Sequence, residues 1–317
     1  MNQRRGKSKH SRPVKSRRLR RWAGVGIVLI ATAVLYLPAL DNGFTNWDDD
    51  RQVVANPAIR DLSPEGLKSI FSSFTVSLYQ PLTSLVFAVQ YRFFELDPRI
   101  YHAVNVLLHL ANILLVYVLV RSLSQRTAIA LIVAALFAIH PLGVEVVAWV
   151  SSLSILLSTL FYLGALIVYL TYTRSGRMWH LAAVWGLFLL ALLAKSSAAT
   201  FPLVMVVIDL YLGRRPVRRV LVEKAPFVLL SIVFGVIAVY ARGGASHLQD
   251  FALRYSLLER VCIVSYSCLW YVGKLLYPAN LSVFYPFPSK PEGWLPALFY
   301  LAPLVLVALA VGIWFSG

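Results

Sequence analysis

The chain has 317 residues, 59% of them apolar and only 14% charged, with a formal net charge of +16. A soluble domain of ordinary composition runs at roughly 45–50% apolar and about 25% charged, so this composition argues against a purely soluble protein. The apolar excess is gathered into charge-free runs, Trp22–Leu40, Ala128–Ile139, Ile155–Leu170 and Leu295–Phe315, and a helix needs about 20 apolar residues to cross a bilayer. These features predict an all-α, polytopic transmembrane helix bundle of about 8–10 spans.

The first element is a basic tail, residues 1–21, with ten Lys/Arg and no acid directly before the first apolar run. That is the positive-inside pattern, and it predicts a cytoplasmic N terminus in a multi-pass membrane protein, most simply of a bacterial inner membrane. The charge is thereby assigned to topology rather than to nucleic acid. The run Trp22–Leu40 is too long for a signal-peptide core and reads as an uncleaved first span. Residues 41–100 then form a first external loop within the membrane domain of residues 22–317. Its stretch from Asp41 to Arg99 holds eight acids against five Lys/Arg, the reverse of the tail.

Inside that loop, Ser63-Pro64-Glu65 is a helix-start pattern. Leu67, Ile70, Phe71 and Phe74 recur at helical spacing, as do Leu82, Leu85, Val86, Val89 and Phe93, which predicts two amphipathic helices on the membrane surface. Asp97-Pro98 is expected to end the second. Further spans are expected at Tyr101–Val120, from Arg126 to His140, and at Ser152–Tyr172, Trp179–Ala194, Ala198–Leu212 and Ala225–Ala241. The basic clusters between them all fall on one side. The segment Leu257–Tyr277 carries Glu259, Arg260 and Lys274, so it either spans or lies in the interface. A last span is expected at Leu295–Phe315, with no soluble domain after it. Cys262 and Cys268, six apart in an apolar segment, suit neither a local disulfide nor a zinc knuckle and read as packing residues.

Several polar residues can carry chemistry. Asn46-Trp47-Asp48-Asp49-Asp50 follows the first span. Adjacent carboxylates at the mouth of a bundle can hold a divalent metal such as Mg or Mn, or supply a general base; a plain solvated acidic loop is the alternative. His102, Asn105, His109 and Asn112 share one helical face. In a membrane such a stripe lines a cavity or ties helices together. His140 and Glu145 sit at a turn on the side of the aspartates. Lys195, between two spans on that side, can meet a phosphate as a point charge or snorkel to headgroups. Asp209 is expected in an ion pair with Arg214 and Arg215 near the opposite side. Arg254, Arg260 and Lys274 lie among aromatics, which suits a lipid phosphate or an aromatic belt.

Taken in order, these pieces carry a resemblance. Phe44-Thr45-Asn46-Trp47-Asp48-Asp49, Asn56-Pro57-Ala58-Ile59, Pro81-Leu82-Thr83, Tyr101-His102 with Asn105, Leu107-Leu108-His109, His140-Pro141, Glu145, Val147-Ala148-Trp149-Val150, Lys195, Pro202, Asp209, Lys274-Leu275-Leu276 and Tyr285-Pro286 follow one another over residues 23–290. The chain resembles the membrane domain of tetratricopeptide-linked GT-C glycosyltransferases, whose eukaryotic members are the transmembrane-and-tetratricopeptide O-mannosyltransferases. The resemblance implies a GT-C-like bundle. It also implies transfer of a sugar from a polyprenyl-phosphate donor to a protein or envelope-glycan acceptor on the external face, with no nucleic-acid partner. It makes Asp48 or Asp49 the general base on the acceptor or a metal ligand, turns Lys195 toward the donor phosphate, and lines the same cavity with His102 and Glu145; Asn105, His140, Arg254 and Lys274 remain candidate substrate-binding residues from their own positions. The chain departs from the family pattern at Gln80, where Arg is usual, at Leu153-Ser154-Ile155, where Arg-x-Asp is usual, and at Ser196, where many members have Glu. The C-terminal repeats are expected to be absent. These departures keep a second reading open, a catalytically inactive membrane protein that binds or moves an isoprenoid lipid or scaffolds a partner.

Overall fold

A computed structural model describes residues 14–214, 218–243, 254–282, 284–290 and 293–316. Among the described residues the structure is helical, the exception being one isolated antiparallel bridge between Thr75 and Leu78. The first helix, α1, runs Val14–Leu35 and gives way at Pro38 to a 3-10 turn, Leu37–Asp41. The loop that follows contains a π-helical turn, Asp50–Val54, a 3-10 turn, Pro57–Arg60, and two helices, α2 (Pro64–Ser72) and α3 (Pro81–Phe94). Then come α4 (Pro98–Ser124), α5 (Thr127–Ile139), α6 (Leu142–Ala148), α7 (Leu153–Ser175), α8 (Met178–Ala194), α9 (Phe201–Tyr211), α10 (Arg218–Ala241), α11 (Leu257–Leu276) and α12 (Ala297–Ser316).

The segments Trp22–Asp41, Pro98–Ser124, Val150–Ser175 and Val220–Ala241 are long and apolar enough to cross a membrane. A fifth crossing arises if α5 and α6, bent by 63° at their junction, count as one broken span. Met178–Ala194, Ser196–Tyr211 and Ala297–Gly312 are shorter apolar helices. The chain is thus a multi-pass, all-α membrane protein.

Local chemistry sets the helix ends. Asp97 caps α4 by accepting from the Arg99 N–H at 3.1 Å, with Pro98 in the first turn, a favoured arrangement because the proline lacks a donor that would be orphaned there. Asp97-Pro98 therefore starts α4. The preceding helix stops earlier, at Phe94, where Glu95 takes φ 51°. Pro141 holds His140 extended (φ −64°, ψ 129°) and so ends α5, as expected for a residue that precedes proline. Gly176 ends α7 with φ 64°, its N–H bonded to the Tyr172 carbonyl at 2.8 Å, the left-handed cap that glycine adopts without strain.

Three packed regions hold the bundle. Ala130, Ala134 and Ala138 give α5 a smooth face on which Val25 of α1 and Ile113 and Tyr117 of α4 pack, since small residues let membrane helices approach closely. Phe188, Phe201 and Phe227 join α8, α9 and α10, with ring centroids 5.0–6.1 Å apart. Val53, Ile59 and Ile70 of the first loop, Phe87 of α3 and Tyr101 of α4 share a third cluster with Val150, Leu153 and Ala194. The first loop is therefore a folded cap on one end of the bundle. Its α3 docks on the bundle, where the Thr83 hydroxyl donates to the Ala194 carbonyl at 3.1 Å.

The opposite end is basic. Arg174, at the end of α7, donates to the Ser122 carbonyl of α4 at 2.9 Å. The helix α10 begins at Arg218, so it takes in Arg218, Arg219 and Lys224, which the sequence places in a basic loop before Ala225. Lys224 is only 4% exposed. Its ammonium hydrogen-bonds Asp209 and reaches the Tyr169 hydroxyl at 3.2 Å, while Arg214 pairs with Asp209 at 3.0 Å. The expected ion pair of Asp209 thus exists with Arg214 and gains Lys224; Arg215 lies outside the described residues. Both cysteines are free, Cys262 buried and Cys268 exposed, so only the first packs in a core.

Candidate functional site

The loop after α1 folds so that two sequence neighbours, Asp48 and Asp49, end in opposite circumstances. Asp49 is fully buried. One of its oxygens accepts from the backbone N–H and hydroxyl of Thr45, at 2.9 and 3.0 Å. The other accepts from the Ser151 N–H at 2.8 Å and from the Ser151 hydroxyl. Four donors compensate the loss of water around this carboxylate, and hydrogen bonds to a charged acceptor are the strong ones. Asp49 thereby locks the first loop to the turn before α7.

Asp48 is half-buried and, among the described residues, makes no hydrogen bond or ion pair. The positive group in its field is Lys195, at the C-terminal end of α8. The Lys195 ammonium is half-buried and reaches the Ser154 hydroxyl at 3.5 Å. Burial pushes its pKa below the ordinary lysine range, the nearby Arg242 charge pushes the same way, and Asp48 opposes both. The loop carboxylate of Asp48 and the half-buried ammonium of Lys195 thus act on each other electrostatically without an ion pair, and the two groups offer a base and an anion-binding charge.

The remaining expected residues divide. His102 is 1% exposed in the second turn of α4, beside the Asn42–Gly43 backbone and within the field of Asp49. Asn105 donates to the Trp149 carbonyl at 2.9 Å, so it braces the turn that carries Ser151. Trp47 and Trp149 meet edge to face at 6.3 Å above it. His140 sits at the α5–α6 break, where its Nε2 lies 3.0 Å from the Leu275 carbonyl of α11 and its Nδ1 accepts from the Leu142 N–H. Glu145 is exposed on α6, and no hydrogen bond or ion pair joins it to Asp48 or Lys195. Lys274 turns onto the Ala279 carbonyl and lies over the Trp270 ring at 5.1 Å. Arg254 precedes α11, so about 30 Å of helix separates it from Lys274. It does not share a site with His140 and the α11 C terminus.

Gln80, where the family pattern has arginine, is buried and donates to the Gln52 side chain at 2.9 Å. A neutral amide pair thus fills that position. Sequence reasoning missed Ser151 and Thr45 as the holders of Asp49. Ser151 reads as the polar start of a span, and only its 102-residue separation from Asp49, closed in space, shows its use.

The described side chains offer a divalent cation few ligands of their own. Asp49 has engaged both oxygens, and among the described residues no three His, Cys, Asp or Glu side chains gather to hold a metal ion. Exposed Asp50 beside Asp48 leaves two loop carboxylates without a side-chain partner among the described residues, and Mg is commonly held by one or two carboxylates completed by water and substrate phosphate.

Comparison with known proteins points one way. The chain is 35% identical over 178 residues to protein O-mannosyl-transferase Tmtc1 of Drosophila melanogaster, a match covering 53% of this chain and 20% of that protein. It is 27% identical over 272 residues to protein O-mannosyl-transferase F38B6.6 of Caenorhabditis elegans, covering 80% and 38%. Human protein O-mannosyl-transferase TMTC1 is 28% identical over 249 residues, covering 75% and 26%. The matches therefore take in between a fifth and two fifths of these relatives. No family model matches, and no solved structure does. The chain is similar, over as much as 80% of its length, to the transmembrane-and-tetratricopeptide protein O-mannosyltransferases.

Proposed function

We propose that the chain is the membrane domain of a glycosyltransferase that moves a sugar, mannose by likeness to its relatives, from a polyprenyl-phosphate donor to a protein hydroxyl. The observation that carries this reading is the unpaired Asp48 carboxylate, within electrostatic reach of Lys195, on a loop that buried Asp49 holds in place. In the proposed reaction the acceptor oxygen attacks the anomeric carbon as its proton passes to Asp48. The bond from that carbon to the phosphate oxygen breaks, and the polyprenyl phosphate leaves with its charge met by Lys195. His102 is buried behind the loop, with neither ring nitrogen hydrogen-bonded among the described residues. The site faces the external side, with the basic end of the bundle cytoplasmic, because the basic clusters gather at the opposite end.

The test is transfer of labelled mannose from polyprenyl-phosphate mannose to acceptor peptides by the purified chain. Transfer by the native chain and its loss in Asp48→Asn would support the proposal. Retained donor binding without transfer under any acceptor would instead favour the non-catalytic lipid-binding reading. The neutral Gln52–Gln80 pair at the family's arginine position is the observation on that side.

A further inference from the structure

The basic end of the bundle holds a cavity that the glycosyl-transfer reading does not use. It measures about 340 Å³ and is lined by Trp22 of α1, Tyr117, Arg121 and Ser122 of α4, Gln125 beyond it, and Arg174 of α7. No acid lines it. One Arg121 nitrogen donates to the Thr127 hydroxyl at 2.8 Å, and one Arg174 nitrogen donates to the Ser122 carbonyl at 2.9 Å. Among the described residues neither arginine is in an ion pair. A guanidinium carries five N–H donors, so each arginine keeps most of its donors for the cavity. These single bonds also orient the two side chains, as a helix C terminus favours, and so leave them preorganised rather than consumed.

Trp22, half-exposed and 5.9 Å from Tyr117 between ring centroids, walls one side. Tryptophan at the end of a span marks the headgroup level of a bilayer. Two oriented guanidinium groups at that depth match phosphate oxygens in geometry and charge. We propose that this cavity is a binding site for a phosphate group, carried there by the headgroup of an anionic membrane lipid. The same chemistry would take a free phosphate, and the two sources separate experimentally.

The bland alternative is a diffusely basic surface, on which any arginine at this end serves equally. Arg126 and Arg177 provide the comparison, because both are exposed at the same end and neither lines the cavity. The experiment is native mass spectrometry of the full 317-residue chain released from mixed phosphatidylglycerol and phosphatidylcholine vesicles. The native chain is expected to retain phosphatidylglycerol in preference to phosphatidylcholine. Arg121→Gln with Arg174→Gln is expected to weaken that retention by about tenfold or more, and Arg126→Gln with Arg177→Gln to leave it unchanged. Because Arg121 also holds Thr127, the exposed Arg174→Gln alone serves as a second variant, with about fivefold weakening expected. Inorganic phosphate that fails to displace the lipid identifies the headgroup as the source; displacement at millimolar phosphate assigns the site to a soluble phosphate. Equal weakening in both double variants, or full retention in the Arg121 and Arg174 pair, would overturn the site.

Discussion

Two carboxylates side by side in sequence have separate work because one of them is saturated. Asp49 accepts four hydrogen bonds and Asp48 none. Asp48→Asn is therefore expected to cut transfer by about 10²–10⁴-fold, the usual scale for a general base, while leaving thermal unfolding and donor binding unchanged. Ser151→Ala removes a hydroxyl donor from a buried carboxylate, so a loss of about 1–3 kcal/mol in unfolding free energy is expected. Its activity should fall through a displaced loop, seen as a smaller drop in kcat than Asp48→Asn gives. Lys195 makes a prediction in pH. Its pKa is lowered, chiefly by burial, so the ammonium we propose for the leaving phosphate exists only below that lowered value. Activity should thus hold at lower pH and be lost as pH rises, earlier than an ordinary lysine of pKa about 10.4 would allow. In kcat/KM profiles the alkaline limb of Lys195→Arg should move upward, since a guanidinium stays charged; an unmoved limb would remove Lys195 from the reaction.

At the scale of elements, three of the four polar residues in the α4 stripe act as fasteners, while buried His102 has neither ring nitrogen hydrogen-bonded among the described residues. Asn105 reaches the Trp149 carbonyl, His109 lies 3.2 Å from the Ala138 carbonyl of α5, and Asn112 donates to the Leu156 carbonyl of α7 at 3.0 Å. Periodicity made the shared face legible, because residues three and four apart must align on a helix. It could not say whether the face met ligand or carbonyls, since that depends on where α5 and α7 break. The helix ends were legible where proline, glycine or a capping side chain marks them, as at Ser63, Pro141 and Gly176. They were misread where tertiary partners override local signals. Asp97-Pro98 caps the following helix, and Glu223 and Lys224 enter α10 because Asp209 and Arg214 receive their charges. For the same reason Asp48 and Asp49 were found as a pair, but their difference rests on Ser151, a hundred residues away, and lay beyond any local pattern. Asn112→Leu is expected to lower stability by about 0.6–2 kcal/mol, measured by thermal unfolding in detergent, with no change in KM for the donor. An altered KM would return the stripe to the substrate cavity.

For the whole molecule, the two ends of the bundle differ in kind. One end carries the folded first loop, Asp48, Lys195 and the α5–α6 break; the other gathers Arg121, Arg126, Arg174, Arg177 and Arg214 around helix ends. Moving arginines across a bilayer is costly, whereas anionic cytoplasmic lipid attracts them by about 1 kcal/mol each near the surface. The summed preference of the basic end therefore supports the orientation we propose, with that end cytoplasmic. The tail of residues 1–21 adds ten more Lys/Arg on the same side of the first span. Lys68, exposed on α2, and Arg177, exposed between α7 and α8, sit at opposite ends. In a background with Cys262 and Cys268 replaced by serine, Lys68→Cys should react with a membrane-impermeant maleimide on intact cells. Arg177→Cys should react only after the membrane is opened. The reverse pattern would put Asp48 in the cytoplasm, where a polyprenyl-phosphate sugar presented outside could not reach it, and glycosyl transfer at the external face would have to be abandoned.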